Sequence, residues 1–251
     1  MLEAQHGIEP SSKTGHQASA TSMKTIGLIG GMSWESTVPY YRQINEIIKQ
    51  RLGGLHSAKI VLVSVDFHDI ERMQHAGDWQ GAGAMLAAAA RSLEAAGADF
   101  LVLCTNTMHQ VAPAIEAAVG IPLLHIADPT AAGIRRAGHS TVGLIGTRFT
   151  MEQDFYRKRL SARHGLSVIV PNEEDRATIH RIIYDQLCIG RILPESRNAY
   201  RHIMESLVAQ GAQAIILGCT EISLLISQAD AGVPLFDTAA LHAQAAAEEA
   251  L

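Results

Sequence analysis

The chain has 251 residues and a formal charge of −5, with 20 lysines and arginines against 25 aspartates and glutamates. This length allows one large domain or two of about 100–130 residues. The mild acidity offers no basic surface to nucleic acid or to an anionic membrane. No apolar run approaches the roughly 18–20 residues that cross a bilayer. Composition therefore predicts a globular protein without nucleic-acid or membrane partners.

The N-terminal segment, residues 1–22, is rich in serine, glycine, glutamine and histidine. They contain no apolar segment of the kind found in signal peptides. We therefore predict that residues 1–22 are a disordered N-terminal extension, and that folding begins at Met23.

Short β-branched runs alternate with amphipathic stretches from Lys24 onward. The predicted strands of the first half cover residues 25–29, 59–65, 100–103 and 122–126, and the predicted helices cover residues 36–52, 78–96 and 107–119. Strands that read as continuous apolar runs and alternate with helices are typical of a parallel sheet covered on both faces.

The second half of the chain repeats the first. Residues 25–30 return as residues 141–146, at an offset of 116, and residues 121–124 return as residues 233–236, at an offset of 112. The Cys-Thr pair at position 104 returns at position 219, an offset of 115. Three matches in the same order predict two similar parallel-sheet α/β lobes related by internal pseudo-symmetry. The alternative is one doubly wound sheet whose strands merely look alike. We place the lobes at residues 23–134 and 135–237.

Three widely spaced cysteines, Cys104, Cys188 and Cys219, form no CxxC pair. This count disfavours a disulfide framework and a zinc ribbon, and it predicts a reducing, cytoplasmic location. Cys188 follows apolar residues on a predicted helix and is expected to belong to the core.

The other two cysteines, Cys104 and Cys219, each follow a predicted strand. Ligands of parallel α/β sheets bind outside the carboxyl ends of the strands. A helix starting there would lower the pKa of the thiol and attract a carboxylate. Two thiols facing each other across a cleft could remove a proton from one face of a carbon and return one to the other face, which inverts the carbon. A single catalytic cysteine would instead indicate a thiol hydrolase or an acyl transferase.

Cofactor motifs are weak in this sequence. The turn at residues 27–31 lacks the GxGxxG pattern of dinucleotide-binding sites. A metal site built from Cys104, His109 and Cys219 matches no zinc spacing. None of the five lysines follows a strand beside a phosphate-binding loop, as a pyridoxal phosphate site would require. We therefore expect neither a cofactor nor a metal.

Three motifs carry a resemblance to a known family: GGMSWEST at residues 30–37, CTNTMH at residues 104–109 and GCTE at residues 218–221. From Met23 to the C-terminus, the chain resembles the aspartate/glutamate racemase family, and in particular its bacterial broad-specificity amino-acid racemases. The resemblance implies a two-lobed α/β homodimer that racemises a small-molecule amino acid without pyridoxal phosphate or metal. It also implies that the C-terminal helix, residues 238–251, completes the first lobe.

The resemblance implies roles for individual residues. Cys104 and Cys219 match the two catalytic cysteines of the family. The substrate's backbone groups are expected to meet Met32, Thr105, Asn106, Thr107 and Thr220. Where typical aspartate racemases carry basic residues that hold the side-chain carboxylate, this chain has Glu71 and Ala177. This departure predicts a neutral or larger substrate side chain, for which Gln74 is the expected contact.

Two other functions stay open at this point. Another isomerase of the same superfamily, similar to hydantoin racemase or maleate isomerase, would share the motifs. A bilobed module that binds an amino acid without chemistry would share the duplication.

Overall fold

The computed structural model describes residues 23–251, so the predicted extension at residues 1–22 lies outside the described residues. Within these described residues, eight strands build two parallel sheets of four strands each. The strands are β1 (Thr25–Gly30), β2 (Lys59–Ser64), β3 (Phe100–Leu103), β4 (Leu123–Leu124), β5 (Thr141–Gly146), β6 (Ser167–Ile169), β7 (Ala214–Gly218) and β8 (Leu235–Asp237). Their spatial orders, β2-β1-β3-β4 and β6-β5-β7-β8, are the same. The predicted fold of two similar α/β lobes is confirmed.

Helices connect the strands in both lobes. They are α1 (Trp34–Leu52), α2 (Phe67–Ala76), α3 (Trp79–Ala95), α4 (Ala112–Glu116), α5 (Ala127–Arg136), α6 (Arg148–Glu152), α7 (Asp154–Lys158), α8 (Glu173–Asp185), α9 (Pro194–Ala209), α10 (Ile222–Leu225) and α11 (Thr238–Ala250). The helix predicted over residues 107–119 is instead a 3₁₀ turn, Thr107–Val111, followed by the short α4. Pro113 explains this break, because a proline within a continuous helix could not donate its backbone hydrogen bond. None of these helices is long and apolar enough to cross a bilayer.

The first sheet is covered on both faces by apolar residues. On one face, the alanines of α11, among them Ala243 and Ala246, pack with Tyr40 and Ile44 of α1. On the other face, Leu86 and its neighbours on α3 cover the sheet. The C-terminal helix therefore lies against the first sheet, although it follows the last strand of the second. The lobe boundaries at residues 23–134 with 238–251, and at residues 135–237, stay predictions.

The strand register fixes which residues of the two lobes are equivalent. In the first sheet Gly27 pairs with Leu101, and in the second Gly143 pairs with Ile215. Gly27 and Gly143 are 116 residues apart, whereas Leu101 and Ile215 are 114 apart. The strands β3 and β7 therefore superpose at an offset of 114.

The expected equivalence of the two cysteines is consequently wrong by one residue. At an offset of 114, Cys219 is equivalent to Thr105, and Cys104 is equivalent to Gly218. Side chains alternate between the faces of a strand, so a shift of one residue moves a side chain to the opposite face.

Candidate active site

A small cavity of about 20 Å³ is lined by residues of both lobes. The first lobe contributes Met32, Phe67, Gln74, Thr105 and Thr107, and the second contributes Thr147, Ile183, Tyr184, Cys188, Cys219 and Glu221. Five residues predicted from sequence are thus brought together: Met32, Gln74, Thr105, Thr107 and Cys219. Because Thr105 follows β3 and Cys219 follows β7, the cavity lies at the carboxyl ends of both sheets, where ligands of such folds bind.

Cys104 does not line this cavity. Its side chain is fully buried in the apolar cluster that contains Tyr40 and Ala243. The Sγ atom lies 3.8 Å from the carbonyl oxygen of Val102, and burial raises the pKa of the thiol far above its ordinary value. The structure therefore does not bring Cys104 to Cys219 across the cavity. The strand alternation described above is the physical reason, since it turns Thr105 rather than Cys104 toward the cavity.

Cys219 is paired with a buried carboxylate. Its thiol donates to Glu221 Oε2 over 2.9 Å, and the Thr220 hydroxyl donates to the same oxygen, also over 2.9 Å. Ser33 donates to Glu221 Oε1 through its backbone N–H at 3.1 Å and through its hydroxyl at 2.8 Å. Each oxygen of the Glu221 side chain therefore accepts two hydrogen bonds.

The pKa of Cys219 differs from the sequence-based expectation. A helix N-terminus was expected to lower it, but α10 has only four residues. Burial and the neighbouring Glu221 carboxylate instead raise the pKa of this thiol well above its ordinary value. Both causes disfavour the thiolate.

The two lobes hold each other through equivalent positions on either side of the cavity. Thr107, two residues beyond Thr105, has its hydroxyl 2.8 Å from that of Thr147, which lies in the loop after β5. Glu221, two residues beyond Cys219, receives the Ser33 bonds from the loop after β1. Each lobe is therefore hydrogen-bonded to the loop that follows the first strand of the other lobe.

A neutral histidine, His109, is hydrogen-bonded to the backbone of Thr105. The Nδ1–H group of His109 donates to the carbonyl oxygen of Thr105 over 2.7 Å, because a carbonyl can only accept. The backbone N–H of Ile126 donates to His109 Nε2 over 3.2 Å. Burial, together with His125 and His242, lowers the pKa of His109 well below its ordinary value. His109 thus braces the loop that carries Thr105.

Two of the predicted substrate contacts, Asn106 and Thr220, do not line the cavity. Asn106 is buried and donates through Nδ2 to the hydroxyl of Thr238 over 2.9 Å, while its Oδ1 has no hydrogen-bond partner. Thr220 donates to Glu221, as described above. Both residues therefore lie behind the lining in this structure.

Sequence reasoning missed several lining residues. Glu221 could have been found, because it stands two residues after Cys219 in the GCTE motif. Tyr184 could not, since it lies on α8 and its hydroxyl reaches Gln74 Oε1 of the other lobe, at 2.7 Å, only in the folded chain. Cys188 packs against the core of the second lobe as expected, but it also lines the cavity.

The lining bears on cofactor chemistry as well. No lysine lines the cavity within residues 23–251, so the described cavity offers no amine for a pyridoxal phosphate Schiff base. The same residues contain no group of three or more histidine, cysteine, aspartate or glutamate side chains placed to hold a metal ion. Both ring nitrogens of His109, the histidine of the metal site weighed above, are engaged in hydrogen bonds with the backbone.

A model of the Asp/Glu/hydantoin racemases matches residues 29–246. The chain belongs to the Asp/Glu/hydantoin racemase family. The match spans both lobes and every residue that lines the cavity. The chain is accordingly an isomerase of the racemase class, and the interpretation as a binding module without chemistry is set aside.

Solved structures and a curated relative agree with this racemase assignment. A candidate Asp/Glu racemase from Yersinia pestis is 60% identical, with a TM-score of 0.84, and the match covers 91% of this chain and 99% of that one. An aspartate racemase homologue from Pyrococcus horikoshii OT3 is 36% identical, with a TM-score of 0.77 and the same two coverages. The broad specificity amino-acid racemase RacX of Bacillus subtilis (strain 168) is 24% identical over 87% of this chain and 95% of the relative.

Proposed function

We propose that this racemase inverts the Cα of free amino acids, with Cys219 and Thr105 acting on opposite faces of that carbon. One observation carries the proposal: the two residues hold equivalent positions in the two lobes and line the same cavity. Stereoinversion needs a proton acceptor on one face of Cα and a proton donor on the other. We assign these two roles to the thiol of Cys219 and the hydroxyl of Thr105.

The step on the Cys219 side begins with thiolate formation. The substrate's ammonium group brings positive charge to a cavity whose lining contains Glu221 as its charged residue. That charge lowers the pKa of the thiol, and Glu221 Oε2 accepts the thiol proton. The thiolate then takes the Cα proton, and the electron pair of the broken C–H bond passes into the α-carboxylate.

The step on the Thr105 side completes the inversion. The hydroxyl of Thr105 donates its proton to the opposite face of Cα, which leaves the threonine oxygen deprotonated. A proton from the Cys219–Glu221 pair then returns to that oxygen through water once the product leaves, so that the enzyme is restored. His109 acts as a positioning residue here, since it fixes the backbone of Thr105.

The substrate side chain is proposed to be uncharged. Apart from Glu221, the lining found among residues 23–251 consists of neutral side chains and supplies no lysine or arginine to a side-chain carboxylate. Such a cavity does not compensate the second negative charge of aspartate or glutamate. Broad specificity, for which the relative RacX is named, is consistent with this neutral lining. No cofactor takes part in the proposed reaction.

The location and assembly that the sequence predicts belong to the same proposal. We expect the enzyme to be a cytoplasmic homodimer, and light scattering of the purified chain would measure its mass in solution.

Four variants test the assignment of the two faces. We expect Cys219→Ser and Thr105→Val to abolish racemisation, because each removes a reacting proton carrier, whereas Thr105→Ser keeps a hydroxyl and retains measurable activity. Cys104→Ala serves as the matched control and should racemise as the wild type does. Chiral chromatography of a panel of L-amino acids and of a hydantoin measures each rate, with circular dichroism checking the fold.

The opposite pattern would refute the assignment. If a folded Cys104→Ala protein loses racemisation while Thr105→Val keeps it, the reacting pair is Cys104 and Cys219. If a hydantoin is inverted and free amino acids are not, the substrate class is wrong.

A further inference from the structure

A second pocket adjoins the cavity that contains Thr105 and Cys219, which we call the catalytic cavity. This outer pocket of about 490 Å³ is lined by residues of α2 in the first lobe and, in the second, by residues of α8 and of the 3₁₀ turn Leu187–Ile189 that follows it. Phe67, Tyr184 and Cys188 line both the outer pocket and the catalytic cavity. These three side chains therefore form the wall that separates the two spaces.

Tyr184 makes the polar contact across this wall. Its hydroxyl donates to Gln74 Oε1 over 2.7 Å and so joins α8 of one lobe to α2 of the other. Its ring stacks on Phe67, with the ring centres 6.3 Å apart. It also contacts the His180 ring in a tilted arrangement, with the ring centres 4.7 Å apart. Gln74 is nearly fully buried, and its Nε2 donates to the Sδ of Met108, which is a weak acceptor.

The size of the catalytic cavity makes this wall relevant to substrate binding. A space of 20 Å³ holds about one water molecule. An amino acid with a longer side chain must therefore push into the lining. The wall is the part of the lining behind which there is room, because the outer pocket lies there. A side chain that passes between Gln74 and Tyr184 separates the hydroxyl from the amide oxygen.

Separating these two groups leaves one donor, the Tyr184 hydroxyl, and one acceptor, Gln74 Oε1. A buried polar group without a partner is costly, so the entering side chain must supply partners to both. A carboxamide does so, because its carbonyl accepts from Tyr184 and its N–H donates to Gln74. A carboxylate can only accept, and an aliphatic or thioether chain offers neither hydrogen bond at full strength.

The charges of the outer pocket also disfavour an acidic side chain. Glu71 and Asp185 both line it. Glu71 lies 2.7 Å from His75 Nδ1, so its oxygen is already engaged, and Arg181 is the arginine among the lining residues. A carboxylate would add a third negative charge to a lining that holds Glu71 and Asp185 against Arg181, whereas a neutral amide adds no charge.

We propose that Tyr184 is a specificity-determining residue which, together with Gln74, selects amino acids with a carboxamide side chain, such as glutamine and asparagine. This inference rests on the proposed function, because it assumes that the Cα of the substrate lies between Thr105 and Cys219.

The experiment compares three side chains of similar size: glutamine, glutamate and methionine. For the wild type we expect the highest kcat/KM with glutamine. Tyr184→Phe keeps the ring contacts and removes only the hydroxyl, so the ratio of kcat/KM for glutamine over methionine should fall by about fivefold, the effect of one buried hydrogen bond. Tyr41→Phe is the matched control, since Tyr41 is exposed on α1 and lines neither space. It should leave the ratio unchanged.

A second measurement separates this inference from the reaction itself. The rise in Tm caused by glutamine, relative to that caused by methionine, reports the same selectivity without catalysis. A wild type that never exchanges its substrate's Cα hydrogen would refute the proposed function, while the Tm comparison would still test Tyr184. An unchanged ratio in Tyr184→Phe, or a wild type that prefers glutamate or methionine, would overturn the role of Tyr184.

Discussion

The thiol of Cys219 donates a hydrogen bond to Glu221 Oε2 over 2.9 Å, inside a cavity shared by two lobes. Only Thr220 lies between the two residues in the chain. Their pair of a thiol and a carboxylate has no counterpart at the corresponding positions of the first lobe. There Thr105 and Thr107 carry hydroxyls only. The duplicated fold therefore holds an unequal pair of proton carriers, and the predictions below follow from that inequality.

The first prediction concerns the acidity of Cys219. The carboxylate of Glu221 raises the pKa of this thiol, so Glu221→Gln should lower it and shift thiol alkylation to lower pH. Racemisation should nevertheless fall by about 10²–10⁴, because the amide cannot accept the thiol proton. Iodoacetamide labelling across pH, in a Cys104→Ala/Cys188→Ala background, measures Cys219 alone. Glu205→Gln, at an exposed position, is the control. If Glu221→Gln does not change the pH dependence of Cys219 alkylation, the prediction is contradicted.

A second prediction concerns hydrogen exchange in D₂O. A hydroxyl is a much poorer proton donor than a thiol, whose reference pKa is about 8.5. After Cys219 removes a proton, the carbanion should therefore often recover one from the same side. The enantiomer whose Cα hydrogen faces Cys219 is expected to exchange with solvent faster than it racemises, whereas its mirror image is not. Proton NMR of each enantiomer measures this difference.

The control for hydrogen exchange is Thr105→Cys, which places a thiol on each face. It should make the exchange of the two enantiomers similar. Equal exchange in the wild type would show that the two faces do not differ in the proposed way.

A third prediction separates stability from activity at Cys104. Its side chain fills an apolar cluster, so Cys104→Ala should lower the free energy of unfolding by about 1 kcal/mol through the space it leaves. Cys104→Ser should cost about 1–3 kcal/mol, since it buries a hydroxyl among apolar groups. Urea unfolding of both variants measures these costs, and Cys188→Ala, at a half-buried position, serves as the comparison. A Cys104→Ser protein as stable as the wild type would place the side chain outside the core.

The fourth prediction concerns pH and three buried histidines. Burial lowers the pKa of His125 to about 3 and that of His242 to about 4, and it lowers the pKa of His109 as well. Between pH 6.5, where unfolded histidines titrate, and about pH 4, the unfolded chain binds protons that the folded chain does not. The free energy of unfolding should therefore fall as the pH falls, by up to about 1.4 kcal/mol per pH unit for each histidine.

Urea unfolding between pH 7 and pH 5 checks this slope. His242→Gln should make it shallower, whereas His202→Gln, at an exposed position, should not. A free energy of unfolding that stays constant over this range would mean that the three imidazoles take up protons in the folded chain as they do in the unfolded chain.

The sequence by itself determined the repeated order of strands and helices, the parallel sheets, the family and the position of Cys219. These features depend on local periodicity and on motifs of consecutive residues, both of which can be read along the chain. It also led to Met32, Gln74, Thr105 and Thr107, which the folded chain brings to one cavity.

Only the tertiary structure decided which residue after β3 lines the cavity together with Cys219. Matching Cys104 with Cys219 looked natural because the residues are identical, but the register of β3 and β7 differs from that match by one position. Since side chains alternate along a strand, this single position puts Cys104 in the core and Thr105 in the cavity. The contact between Gln74 and Tyr184 likewise depends on how the lobes meet, because hydrogen bonds between distant residues leave no periodic pattern in a sequence.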